Sequence, residues 1–134
     1  MKFSVVWDPE AAERYKRLEA KAKASLEART KSKRTKATRD EGLFKQVDKC
    51  ITLLRDNPRH PGLNTHEFKS LAHPYNKNEK VFEAYAQHNT PSAYRVLWCY
   101  GPEKGYITIL AITAHPWRFH CGSAYADDYN KTLS

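Results

Sequence analysis

Arg95 lies inside the run Tyr94-Arg95-Val96-Leu97-Trp98-Cys99-Tyr100, and His115 directly follows the run Tyr106-Ile107-Thr108-Ile109-Leu110-Ala111-Ile112-Thr113-Ala114. A guanidinium is a planar fork of donors that keeps its charge at any working pH. An imidazole titrates near neutrality and can give or take a proton. Held on one rigid support, the two suit chemistry on a phosphate, with the cation on the oxyanion and the ring moving a proton. Between the runs stands Gly101-Pro102-Glu103-Lys104-Gly105. β-rich segments flanking a short Gly/Pro loop predict an antiparallel hairpin.

The charge balance points the same way. The chain of 134 residues has a formal net charge of +8, and its pI is about 9.4, which favours a polyanionic partner such as nucleic acid or an acidic protein. The excess is densest between residues 29 and 39, where Arg29, Lys31, Lys33, Arg34, Lys36 and Arg39 occur without an acid. This cluster suits gripping phosphates rather than catalysis; the alternative is a solvated loop.

Several other chemistries lack their residues. There is no GxxxxGK[ST] phosphate loop, no GxGxxG fingerprint, no HExxH and no GxSxG elbow. The six histidines are scattered, and Cys50, Cys99 and Cys121 are an odd number without a CxxC pair, so no metal, cofactor or disulfide framework is expected. Cys50 and Cys99 read as small core residues. No apolar run approaches a membrane span, and Asp8-Pro9 interrupts the apolar N-terminus, so a cytoplasmic protein is expected.

The elements that must position these groups follow from pattern. Phe3, Val5 and Trp7 alternate as a first strand. Asp8 is an N-cap and Pro9 suits a first helical turn. Strong helix formers run from Glu10 to about Arg29, with a thin stripe of Ala11, Tyr15, Leu18, Ala22 and Leu26. Thr38-x-x-Glu41 has the form of a capping box, and Leu43, Phe44, Val47, Cys50, Ile51 and Leu54 give the second helix a fuller stripe until Asn57-Pro58 ends it. Pro61 to Leu71 begins as a turn and becomes a short strand, and Val81 to Ala86 alternates as another. Strand, helical hairpin, then a mainly antiparallel sheet of three or four strands is an α+β order. One domain over residues 1–119 and a C-terminal tail over 120–134 are expected.

The ordered set of a helical hairpin, Pro61-Gly62-Leu63 with His66-Glu67-Phe68-Lys69-Ser70-Leu71, Tyr94-Arg95-Val96-Leu97-Trp98, and a last strand ending at His115 resembles the RelE/ParE toxin superfamily. The resemblance implies one of two activities. RelE-like members are ribosome-dependent endoribonucleases that cut messenger RNA; ParE-like members inhibit DNA gyrase. Both are held in check by a cognate antitoxin. A non-toxic nucleic-acid-binding relative is a third reading, since fold does not fix function.

Under the nuclease reading a ribose 2′-hydroxyl attacks the neighbouring phosphate, which needs a base, an acid and cations. The resemblance implies Arg95 as the phosphate cation and His115 as the proton-transfer group. Arg95 could instead be structural, paired with Glu67 or Glu83. His66, Glu67 and Lys69 lie on the segment that supplies catalytic groups in relatives; adjacent strand residues face opposite ways, so either His66 or Glu67 with Lys69 would complete the site. Tyr85 could stack on a base with Gln87 and His88 beside it, and Trp117 and Phe119 could do the same. Arg29, Lys31, Lys33, Arg34, Lys36 and Arg39 would grip ribosomal RNA.

Overall fold

Two polar side chains set where the helices begin. In the computed structural model, which describes residues 2–88 and 93–114, strand β1 (Ser4–Trp7) leads into helix α1 (Pro9–Lys31). The Asp8 side chain accepts from the Glu10 N–H at 3.0 Å, and Pro9 occupies the first turn, where a missing N–H costs nothing. Helix α2 (Arg39–Asp56) starts at the reciprocal cap. The Glu41 N–H donates to the Thr38 hydroxyl at 3.3 Å, and the Thr38 N–H donates to the Glu41 carboxylate at 3.2 Å.

The same carboxylate ties the hairpin together. Arg29 Nε donates to both Glu41 oxygens, at 3.2 and 3.0 Å, and a terminal nitrogen donates at 2.7 Å. The remaining terminal nitrogen reaches the carbonyls of Arg34 and Thr35. The Arg29 guanidinium, joined by the Thr38 donors, holds the Glu41 carboxyl down at about 2.

A 3-10 turn at Pro61–Leu63 follows, then β2 (His66–Glu67), β3 (Phe82–Tyr85), β4 (Tyr94–Tyr100) and β5 (Tyr106–Ala114). They form one five-stranded sheet in the order β1-β5-β4-β3-β2. The four strands after the helices are antiparallel, and β1 joins the edge parallel to β5, pairing Val5 with Ile107 and Trp7 with Ile109. The β4–β5 hairpin stands where the sequence puts it. Gly101 and Gly105 supply the positive φ angles of 115° and 88° that its loop needs. The segment before β3 yields less strand than its pattern suggests, only the two residues of β2.

Both helices cover one face. Val47, Cys50, Ile51 and Leu54 of α2 and Ala11 and Leu18 of α1 pack with Ala84, Val96, Trp98, Ile107, Ile109 and Ile112. Leu26, expected in the α1 stripe, is 45% exposed and lines a shallow groove with Glu41 and Phe44 of α2. Cys50 and Cys99 are buried free thiols. Burial pushes them up to about 12 and about 11, so neither is a nucleophile.

The opposite face divides in two. At the Tyr100 end a loop closes over it. His73 Nε2 donates to the Tyr100 carbonyl at 2.9 Å, and its Nδ1 accepts from the N–H groups of Tyr75 and Asn76. The Tyr75 hydroxyl donates to Thr108 Oγ1 at 3.0 Å, which in turn donates to the Gly101 carbonyl. The other end, where β2, β3 and the start of β4 meet, carries polar side chains instead.

Candidate functional site

Strand register decides which side chains meet at that end. His66 pairs with Glu83, Glu67 with Phe82, and Tyr85 with Arg95. Successive strand residues point to opposite faces, and Ala84 and Val96 lie under the helices. His66, Glu83, Tyr85 and Arg95 therefore share the face away from the helices, and Glu67 is on the other.

Glu83 is the centre of the group. One carboxylate oxygen lies 2.6 Å from His66 Nε2, and the other accepts from an Arg95 terminal nitrogen at 2.8 Å. Glu83 is 6% exposed, and an acid that deep persists because both oxygens have charged or polar partners. The Arg95 side chain is 12% exposed and that of His66 is 49% exposed, so the site runs from a buried ion pair to an open imidazole.

Two further contacts complete the group. His66 Nδ1 faces the Asn64 carbonyl at 3.2 Å while Nε2 faces the carboxylate. An acceptor oxygen therefore stands at each ring nitrogen. The Arg95 guanidinium carbon stands 4.1 Å from the centre of the Tyr85 ring, a cation–π contact. Tyr85 also meets the His66 ring at 5.5 Å and stacks nearly parallel with His88 at 5.7 Å. Yet Arg95 is not saturated. Its Nε–H is buried without an acceptor among the described residues. A half-used fork beside a half-exposed imidazole can bind an oxyanion and exchange a proton.

The other expected site residues are placed as follows. Lys69 is exposed in the turn after β2, with no hydrogen bond or ion pair to the cluster among the described residues. Arg29 is committed to Glu41 and to the loop carbonyls. Lys31, Lys33, Arg34, Lys36 and Arg39 are exposed around the connection between the helices. His115, Trp117, Phe119 and the 120–134 tail lie outside the described residues. Glu83 as a shared carboxylate is what the sequence reading missed, having considered it only as a structural partner for Arg95. The available signal was a single acid inside the alternating run Val81-Phe82-Glu83-Ala84-Tyr85, in phase with Tyr85. Among the described residues no group of three His, Cys, Asp or Glu has the geometry to hold a metal ion.

No family model and no curated protein matches the sequence. Solved structures do match the fold. A YoeB/ParE toxin from Agrobacterium tumefaciens superposes with a TM-score of 0.53 at 8% identity, covering 84% of this chain and 98% of that one. The chain shares the fold of that toxin. The YoeB dimer from Staphylococcus aureus gives a TM-score of 0.49 at 13% identity, covering 86% of this chain and 99% of that one. The YafQ toxin in the E. coli DinJ–YafQ toxin–antitoxin complex gives 0.48 at 8% identity, covering 90% and 100%. In this fold the His66–Glu83–Arg95 group sits on the sheet face that the helical hairpin leaves open. No helix of the described residues is long and apolar enough to cross a membrane.

Proposed function

We propose that this chain is the toxin of a toxin–antitoxin pair and a metal-independent endoribonuclease that cuts ribosome-bound messenger RNA. The observation that carries the reading is the His66–Glu83–Arg95 chain on the open face of a RelE/ParE sheet. In the reaction the 2′-oxygen bonds to phosphorus and the bond from phosphorus to the 5′-oxygen breaks. Arg95 takes the scissile phosphate on its free donors, competing with Glu83 for the guanidinium, and stabilises the charge that develops. His66 gives its proton to the leaving 5′-oxygen, and Glu83 holds the ring in place and balances its charge. His115 accepts the 2′-hydroxyl proton. Lys69 adds positive charge at the rim, and the exposed lysines and arginines of the helix connection contact ribosomal RNA. Glu67, on the far face, takes no part. A cognate antitoxin would silence the protein by covering this face.

Induced expression followed by mapping of messenger RNA 5′ ends tests this. The wild type should produce new ends clustered by codon position, and Arg95→Lys and His66→Ala should abolish them while the proteins remain folded. Unchanged ends in both variants would remove the assignment.

One observation favours a second reading. Glu83 already neutralises Arg95, as it would in a protein whose sheet is only a scaffold. A gyrase-inhibiting toxin would then leave messenger RNA intact and accumulate gyrase-cleaved DNA in the same cells.

A further inference from the structure

A cleft of about 380 Å³ opens beside the site, between α2 and the end of β3. That volume is within the roughly 300–1,000 Å³ of small-ligand pockets. Its walls include Gln46, Lys49 and Leu53 from α2, His60 from the turn after it, and Tyr85 and His88 from the β3 end. No carboxylate lines it among the described residues. We propose that this cleft binds one nucleotide of single-stranded RNA next to the phosphate held by Arg95. The inference rests on the nuclease reading for its substrate class, but its binding can be measured without cleavage.

The donors in the cleft are of the right kind and are free. His60 Nδ1 accepts from the Gly62 N–H at 2.9 Å, so in the neutral ring the proton is on Nε2, which has no acceptor among the described residues. Gln46 spends its oxygen on Gln87 at 2.9 Å, which leaves its amide N–H groups for a base edge. Lys49 is exposed and forms no ion pair among the described residues, so its ammonium is available to a phosphate. Gln46, Lys49 and His60 thus supply polar contacts of the sort that read and anchor an unstacked nucleotide.

The stacking surface joins the cleft to the catalytic face. Tyr85 lines the cleft while Arg95 lies over its ring. His88, exposed and stacked nearly parallel on Tyr85, offers a further ring face. A strand whose phosphate sits at Arg95 can pass over Tyr85 and place its neighbouring base against His88. Such base-on-ring stacking tolerates any base and requires an unpaired one.

The test uses the full chain and a fluorescent 2′-O-methyl RNA pentanucleotide, which lacks the attacking hydroxyl. Lys49→Ala and His88→Ala both alter exposed side chains and should leave the circular dichroism spectrum unchanged. His88→Ala should weaken binding about tenfold through the lost stack. Lys49→Ala should reduce the slope of log affinity against log salt by about 0.7. A duplex RNA of equal length should lose little from His88→Ala. Wild-type affinity and slope in both variants, an equal loss on the duplex, or no binding of the oligonucleotide by the wild type would each overturn the proposal. If messenger RNA stays intact in cells while these dependences hold, the nuclease reading fails and the nucleotide cleft stands.

Discussion

Arg29 and Arg95 each face a glutamate, and the two pairs behave as different devices. At the helix hairpin every nitrogen of Arg29 has an acceptor, from the Glu41 carboxylate or from the carbonyls of Arg34 and Thr35. On the sheet, Arg95 gives one bond to Glu83, keeps a buried Nε–H without an acceptor among the described residues, and lies over Tyr85. Glu41 serves one arginine and a helix cap, whereas Glu83 is divided between Arg95 and His66. Both side chains are largely covered, at 19% and 12% exposed, so burial does not separate them. Donor capacity does. A saturated guanidinium fastens two segments, and one with donors to spare can take an anion.

Removing Arg95 should have the largest effect. Arg95→Ala leaves Glu83 buried with His66 alone, and breaking a buried pair from one side costs about 3–5 kcal/mol. Urea denaturation should show that loss, and the double variant Arg95→Met with Glu83→Leu should recover most of it. If the single and double variants are equally unstable, the pair is not what makes Arg95→Ala costly. Arg95→Lys keeps the charge but loses the fork, and under the proposed nuclease reading should lower RNA cleavage by about 10²–10³-fold.

Much of this comparison was legible beforehand. Asp8, Thr38 and Glu41 announce the helix starts because caps are local chemistry, and Tyr94–Ala114 announces its hairpin because the turn is local too. The meeting of His66 with Glu83 was not legible. It depends on the register of a two-residue strand against β3, across 17 residues of chain that include the His73–Tyr75 loop. Nor could the sequence place β1 beside β5, since a parallel edge pairing between the first and last strands leaves no mark in either. Arg95 was visible as a cation in an apolar strand, but the spare donor that sets it apart from Arg29 appears only when every acceptor has been located.

His66→Ala comes next in size and separates function from stability at the sheet pair. The ring is half exposed, so screening limits its contribution to folding to about 1 kcal/mol or less. If the proposed nuclease reading holds, its loss should nonetheless reduce cleavage by about 10²-fold or more. A His66→Ala variant with full cleavage and normal stability would return the Arg95–Glu83 pair to the same status as Arg29–Glu41.

The hairpin pair should answer to acid. Glu41 is held at about 2 against an ordinary value near 4.5. A depressed carboxyl stabilises the fold fully above its unfolded value and loses that contribution as pH falls toward the folded one. The stability gap between wild type and Glu41→Gln should therefore be constant above about pH 5 and narrow steadily toward pH 2. A gap that does not change over that window would show that the Arg29 clasp adds nothing to folding.

The smallest effects belong to the exposed lysines beside Arg29. Lys31, Lys33 and Lys36 are solvated and have no ion-pair partners among the described residues, so replacing all three with alanine should change stability by no more than about 0.5 kcal/mol per site. Their reach is toward a polyanion. Counterion release predicts that each lysine touching a single-stranded phosphate contributes about 0.7 to the salt slope of binding. A triple variant that binds ribosomes with a reduced slope while the proposed RNA cleavage persists would make the connection a grip separate from the proposed site. An unchanged slope would leave the six basic residues of this segment with one structural member, Arg29, and a solvated remainder.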